Sequence, residues 1–350
     1  MQTILATGGT GFIGSHTCIE LLKRGFKVII FDSLINSSKK VYDQIVRISF
    51  NGKNDFSKNC SFVLGDIRDL DLLESIFCEE YKNKNRIDAV IHFSGLKSIS
   101  ESFINPIEYW DVNVGGTINL LKVMNKFSCN NLVFSSSATI YAPETESPIK
   151  EYNSIRAINP YGKTKQAIES ILDDFYFSKN KNFSIASLRY FNPIGAHNSG
   201  LMGEDPNGIP NNIFPLINKV AIGELDEIKI FGNDWETTDG SGIRDYIHIM
   251  DLAEGHLRAL DYLFKNSQVN MKLNLGTGRG VSVIELIETF KKVNNIRVPF
   301  SFSKRRLGDR GIYYADNSLA KELLRWEPSR TIEDMCRDGW KWQRKRSNIK

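Results

Sequence analysis

The stretch TILATGGTGFIGSHTCIELL, residues 3–22, decides the fold of this chain. It opens on TILAT at 3–7, an apolar run rich in β-branched residues that is typical of a strand covered on both faces. A glycine loop follows directly, and HTCIELLKRG at 16–25 predicts a helix that ends at Gly25. A strand, a glycine loop and a helix in this order predict the start of an α/β fold with a parallel sheet.

The glycine loop has the spacing G-x-x-G-x-x-G, with Gly8, Gly11 and Gly14. Glycine permits a tight turn and lets a pyrophosphate approach the backbone N–H groups at a helix N-terminus. The next predicted strand, KVIIFD at 27–32, ends in Asp32, whose carboxylate would accept hydrogen bonds from ribose hydroxyls and repel a 2′-phosphate. These residues predict a dinucleotide site for NAD rather than NADP.

Further apolar runs alternate with segments of helical period through the first half of the chain. This alternation predicts a doubly wound parallel sheet, the Rossmann arrangement, in a domain covering 1–190. A smaller C-terminal α/β substrate domain covers 191–350, and a segment at about 244–266 is expected to return to the first domain. The predicted strands are SFVLGD (61–66), DAVIHFS (88–94), NLVFSSS (131–137) and SIASLRY (184–190), with helices near 70–82, 107–127 and 160–178 between them.

Composition and charge exclude several classes of protein. The net charge of +4 over 350 residues is too weak to predict nucleic-acid binding. No apolar run reaches the roughly 18 residues that would span a membrane, and the N-terminus lacks the pattern of a secretory signal. Five dispersed cysteines and histidines without ligand spacing predict no disulfide framework and no metal site, and they fit a cytoplasmic location. The basic C-terminal segment, KWQRKR at 341–346, is expected to be a solvated helix end.

Residues at the ends of later predicted strands are further candidates for cofactor contacts. In an open parallel sheet the ligand crevice lies beyond the carboxyl ends of the strands. Asp66 is a candidate to meet the adenine, and Lys97 the cofactor phosphates. The candidate positions, in chain order, are Asp66, Ile67, Phe93, Ser94, Gly95 and Lys97.

A catalytic set is predicted from Ser137, Tyr161 and Lys165. Ser137 ends the fifth predicted strand, and the other two are four residues apart on one face of a helix that Asn159 would cap and Pro160 would begin. A tyrosine with a pKa near 10 needs about 4 kcal/mol of help to act as a base at pH 7. An ammonium about 4 Å away supplies roughly that much. A plain surface pair is the alternative interpretation of this spacing.

Taken together, these segments resemble the extended short-chain dehydrogenase/reductase family and, within it, the UDP-glucose 4-epimerases, also called UDP-galactose 4-epimerases. The resemblance covers the chain almost end to end. The segments that carry it are GGTGFIGSHTCIELL, DSLINSS, VIHFSGLKSISES, FSSSATIYA, NPYGKTK, LRYFNPIGAH, MGEDPNGIPNN, IFGNDWETTDGSGIRDYIHIMDLAEGH and LNLGTG.

This resemblance implies the interconversion of UDP-galactose and UDP-glucose by transient oxidation at sugar carbon 4, with tightly bound NAD. Tyr161 would remove the proton of the sugar 4-hydroxyl, and Lys165 would hold the nicotinamide ribose and lower the pKa of that tyrosine. Ser137 and Thr139 would bind the reacting oxygen. The resemblance also implies cofactor contacts from Phe12, Ile13, Asn36, Ser37, Asn113, Ser135, Tyr161, Lys165 and Tyr190.

The second half of the chain would bind the UDP-sugar. Two arginines suit this role because guanidinium binds phosphate oxygens bidentately. A bulky Tyr313 beside the sugar 2-substituent would exclude N-acetylated sugars, although Gly311, where the family often has proline, and the charge of Arg310 alter this loop. The implied substrate residues are Asn192, Asn211, Asn212, Phe231, Arg244, Arg306, Asp309 and Tyr313.

Other functions and assembly states stay open at this point. A sugar-nucleotide 4,6-dehydratase would need a carboxylate beside Ser137, where this chain has Ala138 and Thr139. An epimerase for UDP-glucuronate or UDP-N-acetylglucosamine is a nearer alternative, and a non-catalytic dinucleotide sensor would tend to lose the tyrosine–lysine pair. The helices near 107–127 and 160–178 resemble the family's dimer interface and favour a homodimer, but they could equally cover the sheet.

Overall fold

The computed structural model describes residues 1–50, 58–178, 182–206, 210, 212–306 and 308–348. The chain divides into two compact units. Unit 1 comprises Met1–Ala142, Ser154–Arg189 and Ala253–Leu273, and unit 2 comprises Pro143–Asn153, Tyr190–Leu252 and Asn274–Lys350.

The division differs from the predicted boundaries in two segments. Residues 143–153 lie in unit 2, because Ile149 forms a β-bridge with Ala315 and its carbonyl accepts a hydrogen bond from Asn274. The segment that returns to unit 1 is Ala253–Leu273 rather than about 244–266, because it leads into the last strand of the large sheet.

The strands follow the apolar runs of the sequence closely. They are β1 (Thr3–Thr7), β2 (Lys27–Asp32), β3 (Cys60–Leu64), β4 (Ala89–His92), β5 (Asn131–Ser137), β6 (Ser184–Tyr190), β7 (Asn192–Ile194), β8 (Ile228–Phe231), β9 (Ile243–Arg244), β10 (Tyr246–His248), β11 (Asn270–Leu275), β12 (Val281–Ser282), β13 (Phe300–Ser303) and β14 (Ile312–Tyr313).

The helices lie between these strands. They are α1 (Phe12–Lys23), α2 (Lys39–Ser49), α3 (Leu70–Lys82), α4 (Ile99–Ile104), α5 (Pro106–Tyr109), α6 (Gly116–Lys126), α7 (Pro160–Phe177), α8 (Ile213–Ala221), α9 (Ile249–Lys265), α10 (Val283–Asn294), α11 (Ser318–Leu324) and α12 (Ile332–Arg346). The single helix predicted near 107–127 is instead α5 and α6 joined by a π-helical turn at Trp110–Gly115. Among the described residues, no helix combines the length and the apolar character that a membrane crossing needs.

A seven-stranded sheet forms the centre of unit 1, in the order β11-β6-β5-β4-β1-β2-β3. Strand β1 pairs in parallel with both β2 and β4, and the parallel pairing continues from β2 to β3 and from β4 to β5. This confirms the predicted Rossmann fold. The strand order reverses between β1 and β4, where such sheets form their ligand crevice.

The central strands of unit 1 are mainly apolar because helices cover both faces of the sheet. Leu5, Val90 and Leu132 are fully buried on neighbouring strands. Each such side chain stabilises the fold by roughly 1.5–3 kcal/mol relative to leaving it in water. The sheet is therefore a rigid base for the loops at its carboxyl edge.

Unit 2 contains smaller sheets and its own core. Over the described residues these sheets have the strand orders β10-β7, β12-β9-β14 and β13-β8. Its core includes Phe214, Phe290 and Trp340, from α8, α10 and α12, whose rings meet edge to face. Unit 2 therefore has a packed core of its own, which supports the loops between its short strands.

Candidate active site

The glycine loop after β1 forms a turn that lies against the carboxyl end of β4. Gly8 has a φ of +68° and donates its N–H to the carbonyl of Phe31 at 2.7 Å, while Gly11 donates to the carbonyl of Gly8 at 3.1 Å. A Cβ built on Gly8 would lie 2.6 Å from the backbone nitrogen of Ser94, and one on Gly14 2.4 Å from the carbonyl oxygen of Gly8. The backbone alone thus forms the turn at the start of α1, as a pyrophosphate site requires.

Asp32 is buried at the end of β2, beside this turn. One carboxylate oxygen accepts the N–H of Thr10 at 3.0 Å and the other that of Leu34 at 2.9 Å. The hydroxyl of Ser37 lies 2.6 Å from the hydroxyl of Thr10 and 3.5 Å from the carboxylate. These bonds fix a negative charge where ribose hydroxyls could donate to it.

Asn113, a predicted cofactor residue, lies in the π-helical turn and bonds to protein groups on two sides. Its side-chain oxygen accepts the N–H of Leu96 at 2.8 Å, and its amide donates to the hydroxyl of Thr164 at 3.0 Å. A Cβ on Gly95 would lie 3.0 Å from that same oxygen. Asn113 therefore ties the loop after β4 to α7, and its contact with a cofactor stays a prediction.

The other predicted cofactor residues are spread along the carboxyl edge of the sheet. Both carboxylate oxygens of Asp66 are bonded by the guanidinium of Arg68, at 2.7 and 3.0 Å. Ile67 is buried, and the ring of Phe93 lies 5.0 Å from that of His256. The remaining positions are Phe12 and Ile13 in the first turn of α1, Asn36 and Lys97 on exposed loops, Ser135 within β5, and Tyr190 at the end of β6.

Helix α7 starts as the sequence predicts. The side chain of Asn159 accepts the N–H of Gly162 at 2.7 Å, and Pro160 takes the first helical position. A Cβ on Gly162 would lie 2.9 Å from the carbonyl oxygen of Thr139. The absence of a side chain there lets the start of α7 approach the turn that follows β5.

The structure brings the predicted catalytic residues together. Ser137, the last residue of β5, shares a hydrogen bond with the side chain of Tyr161 and accepts one from the hydroxyl of Thr139 at 3.0 Å. The buried Lys165 donates to the carbonyl of Ser135 at 2.7 Å, and its Nζ lies 6.0 Å from the centre of the Tyr161 ring. Strand β5 therefore anchors both the serine and the lysine.

Burial shifts the pKa of both titratable groups. It raises the pKa of Tyr161, an effect that the hydrogen bond with Ser137 opposes. It lowers the pKa of Lys165 to about 7. The predicted lowering of the Tyr161 pKa by an adjacent ammonium is not found in the structure, because burial disfavours the charged form of both side chains.

A buried ion pair underlies this catalytic set. Arg189 on β6 donates to both carboxylate oxygens of Glu169 on α7, at 2.7 and 3.0 Å, and to the hydroxyl of Tyr141 at 2.9 Å. The hydroxyl of Ser136 donates to the same carboxylate at 2.6 Å. Glu169 is one helical turn beyond Lys165, so the pair joins α7 to β5 and β6 behind the catalytic residues.

In unit 2, predicted substrate residues meet on adjacent strands. Arg244 on β9 and Tyr313 on β14 are partners in a parallel register. The ring of Tyr313 is enclosed by the ring of Phe191, 5.5 Å away, and by the guanidinium of Arg310, 4.5 Å away. Tyr313 is therefore a bulky side chain held in place from two sides.

A second group in unit 2 surrounds Phe231 at the end of β8. The guanidinium of Arg306 lies 4.6 Å from the centre of the Phe231 ring and bonds to Asp309 at 2.9 Å. A Cβ on Gly311 would lie 2.9 Å from the indole of Trp235, so this indole occupies the space that a side chain at position 311 would need. A half-exposed ring under a guanidinium is suited to stack against a planar base.

The structure describes two of the three asparagines that were predicted to bind the substrate. Asn192 begins β7 and donates its N–H to the carbonyl of Asp245 at 3.0 Å. Asn212 precedes α8, and its amide donates to the carboxylate of Glu204 at 3.2 Å. Asn211 lies outside the described residues.

Sequence reasoning missed the buried charges that support these sites. Asp245, next to Arg244, is fully buried and accepts four hydrogen bonds, three from backbone N–H groups and one from a hydroxyl. The sequence feature that could have identified these buried residues is a charged residue inside a predicted strand. Arg189 in SIASLRY and Asp245 in RDYIHI both show it, and a buried charge needs a partner.

Comparisons with known proteins agree with this geometry. The chain matches the family model described as GDP-mannose 4,6 dehydratase over residues 5–339. It is 46% identical to a UDP-glucose 4-epimerase of Bacillus subtilis over 342 residues, which cover 98% of this chain and 97% of that protein. The chain belongs to the UDP-glucose 4-epimerase family.

Solved structures of family members have the same fold. The UDP-glucose 4-epimerase of Stenotrophomonas maltophila, crystallised with NAD and formylated UDP-arabinopyranose, superposes with a TM-score of 0.93 at 44% identity. The family member from Bifidobacterium longum, in complex with NAD+ and UDP, gives a TM-score of 0.91 at 44% identity. Both comparisons cover 100% of each chain.

Proposed function

We propose that this protein interconverts UDP-galactose and UDP-glucose by oxidation and reduction at sugar carbon 4. The observation that carries the proposal is the grouping of Ser137, Tyr161 and Lys165 at the carboxyl end of β5, in the sheet that also carries the glycine turn. Relatives that are 46% identical are UDP-glucose 4-epimerases, which supports the same reaction here.

NAD fits the residues of unit 1. The glycine turn at the start of α1 is the type of backbone that binds a pyrophosphate, and Asp32 offers a carboxylate for the adenosine ribose. Solved relatives contain bound NAD. When bound, NAD accepts the hydride of carbon 4 and returns it, so no external reductant is consumed. Unit 1 is thus proposed as the NAD-binding domain and unit 2 as the UDP-sugar-binding domain.

The residues around Ser137 would move the proton of the reaction. Tyr161, as the phenolate, accepts the proton of the 4-hydroxyl when the sugar is oxidised and gives it back when the keto oxygen is reduced. Ser137 and Thr139 donate hydrogen bonds to the oxygen that reacts. Lys165 is fixed on the carbonyl of Ser135 and is proposed to hold the nicotinamide ribose.

Unit 2 is proposed to recognise the UDP portion. Arg244 and Arg306 are proposed to bind phosphate or ribose oxygens, because guanidinium suits such contacts, and the half-exposed Phe231 ring is proposed to stack on uracil. Tyr313, held between Phe191 and Arg310, is proposed to limit the space for a substituent at sugar carbon 2. This supports hexoses over N-acetylated hexosamines.

The testing experiment incubates purified protein with UDP-galactose and, in parallel, UDP-N-acetylgalactosamine, with no cofactor added. We expect UDP-glucose from the first substrate and at most slow turnover of the second. Nucleotide released by acid from the same protein should include NAD. A protein that carries NAD and yet leaves UDP-galactose unchanged would contradict the proposal.

A 4,6-dehydratase is the second candidate, since the matching family model has that description. Elimination of water needs a carboxylate beside the reacting carbon, and the residues after Ser137 are Ala138 and Thr139. Water loss from UDP-glucose, detected as a 4-keto-6-deoxy product, would favour this candidate over the epimerase.

We propose that the protein is a homodimer. A row of apolar side chains on α4, α5 and the π-helical turn is exposed: Phe103 at 63%, Ile104 at 76%, Ile107 at 79% and Trp110 at 40%. Exposed large apolar side chains this close in sequence support a protein interface here, and a second copy of unit 1 is the proposed partner.

Acidic substitutions in this row test the dimer. We expect Phe103→Glu with Ile107→Asp to convert the protein from dimer to monomer in analytical ultracentrifugation, because the charges would have to be buried at the interface. Tyr81→Asp, at a side chain that is 74% exposed on α3, is the matched control and should leave the mass unchanged. A wild-type protein that sediments as a monomer at micromolar concentration would contradict the proposal.

A cytoplasmic location is also proposed, because all five cysteines are free thiols and four of them are buried. Cell fractionation with a tagged chain would test it, and recovery from an oxidising compartment would contradict it.

A further inference from the structure

The C-terminal helix α12 holds a loop that is distant in sequence. The ammonium group of Lys341 donates a hydrogen bond to the carbonyl of Asn198 at 2.6 Å. The ammonium group of Lys345 donates one to the carbonyl of Ser199, also at 2.6 Å. The basic side chains of this segment are exposed, as the sequence predicts, and three of them also contact the loop at 197–205.

The same helix contacts the far side of the loop. Arg346 forms an ion pair with Asp205, with N–O distances of 2.6 and 2.9 Å. The buried indole of Trp342 lies against Gly203, where an added Cβ would come within 2.5–2.9 Å of the ring atoms. The indole fits the loop backbone closely, and only glycine at position 203 permits this.

The loop is folded on itself between these contacts. Ala196 and Gly203 form an antiparallel bridge, and His197 donates its N–H to the carbonyl of Met202 at 3.0 Å. The imidazole of His197 also bonds to the hydroxyl of Ser199 at 2.8 Å. The contacts from α12 are therefore made to a short hairpin that is held together by its own hydrogen bonds.

The hairpin continues directly into a residue that contacts the proposed substrate site. Glu204 follows Gly203, is largely buried, and accepts a hydrogen bond from the side-chain amide of Asn212 at 3.2 Å. Asn212 has no intrahelical side-chain bond at the start of α8. Glu204 therefore links the hairpin to the side-chain amide of Asn212.

We propose that α12 positions Asn212 for binding the UDP-sugar, with Trp342 and Arg346 as positioning residues that act through the hairpin and Glu204. This inference rests on the proposed function and on the expectation from the sequence that Asn212 contacts the substrate. Release of the hairpin weakens nucleotide binding, while proton transfer at Tyr161 belongs to unit 1 and is unaffected. The measurable consequence is a change in KM and in the Kd for UDP without a matching change in kcat.

The test is a triple variant, Lys341→Met, Lys345→Met and Arg346→Met, which removes the polar contacts of α12 with the hairpin. Methionine keeps the aliphatic length and the helical propensity of the side chains. We expect the KM for UDP-galactose and the calorimetric Kd for UDP to rise by about 3- to 10-fold, since each exposed contact is individually weak. The kcat should change by less than about 2-fold.

Further single variants separate positioning from folding. Gly203→Ala alters no charge and forces the hairpin away from the indole of Trp342. We expect it to raise both the KM for UDP-galactose and the Kd for UDP. Arg344→Met removes a charge from an exposed position on the same helix and should leave both constants unchanged. Arg346→Lys, which keeps the charge, should recover most of the affinity lost in Arg346→Met.

Failure of this inference and failure of the proposed function give different experimental results. If wild-type protein binds UDP but does not turn over UDP-galactose, the proposed function fails, and the Kd for UDP still tests the inference. If the triple variant and Gly203→Ala both keep the wild-type KM and Kd while folded, the inference is overturned. An equal loss in Arg344→Met would overturn it as well, because it would indicate a general effect of charge.

Discussion

Tyr161→Phe is expected to lower kcat for UDP-galactose by about 1,000-fold, because a positioned general base contributes about 10²–10⁴-fold. The change removes one oxygen and its hydrogen bond to Ser137 and keeps the ring. The Kd for UDP should stay within about 2-fold of the wild-type value, since the proposed UDP contacts lie in unit 2. Single-turnover kinetics of the NAD-loaded enzyme would measure the loss.

Tyr176→Phe is the matched control on the same helix. Its hydroxyl donates to the carbonyl of Gln268 at 2.8 Å, away from the catalytic residues, so its removal should leave kcat unchanged. The pH profile gives a second readout. Wild-type turnover should rise with pH from about 6 to 9, because burial raises the pKa of Tyr161 and the phenolate is the active form. A Tyr161→Phe enzyme with wild-type kcat would remove the tyrosine from the mechanism.

Glu169→Ala is expected to lower the free energy of unfolding by about 3–5 kcal/mol, because it leaves the charge of Arg189 buried without its partner. Arg189 is 1% exposed and Glu169 3% exposed, so water cannot replace the lost bonds. Chemical denaturation followed by fluorescence would measure the change. The hydroxyl of Ser136 loses its acceptor too, so kcat should also fall in protein that remains folded.

An exposed ion pair on the same helix provides the control. Asp173 on α7 pairs with Lys272 on β11, with side chains that are about one-third exposed. Asp173→Ala should cost less than about 1 kcal/mol. The double change Glu169→Gln with Arg189→Met should be less destabilising than Glu169→Ala, because no unpaired charge remains. A loss below about 1 kcal/mol for Glu169→Ala would show that the buried pair contributes little.

The sequence predicted those parts of the fold that depend on local patterns. Strands β1, β2, β5 and β6 were predicted to the residue, because apolar β-branched runs covered on both faces have sharp ends. The start of α7 was predicted from Asn159 and Pro160, whose preference for helix starts is local chemistry. Four-residue spacing also placed Tyr161 and Lys165 on one helix face.

Features that depend on contacts distant in sequence could not be predicted. Glu169 and Arg189 are recognisable as a pair only when β6 lies beside α7. The contacts of the exposed basic end of α12 could not be predicted because its partners, Asn198 and Asp205, are about 140 residues away in the sequence. The pKa of Tyr161 was misjudged because a lysine at helical spacing does not reveal that both side chains are buried.

The π-helical turn at Trp110–Gly115 has a consequence for chain length in this region. Such a turn accommodates an additional amino acid within a helix, and each helical residue advances the chain by about 100° around the axis. Deleting a single residue from the flanking helix instead, where no such turn absorbs the change, would rotate α5 by about that angle relative to α6. The exposed side chain of Ile107 and the amide of Asn113 would then face new directions relative to each other, so the proposed dimer surface and the loop after β4 both depend on the number of residues in this helix.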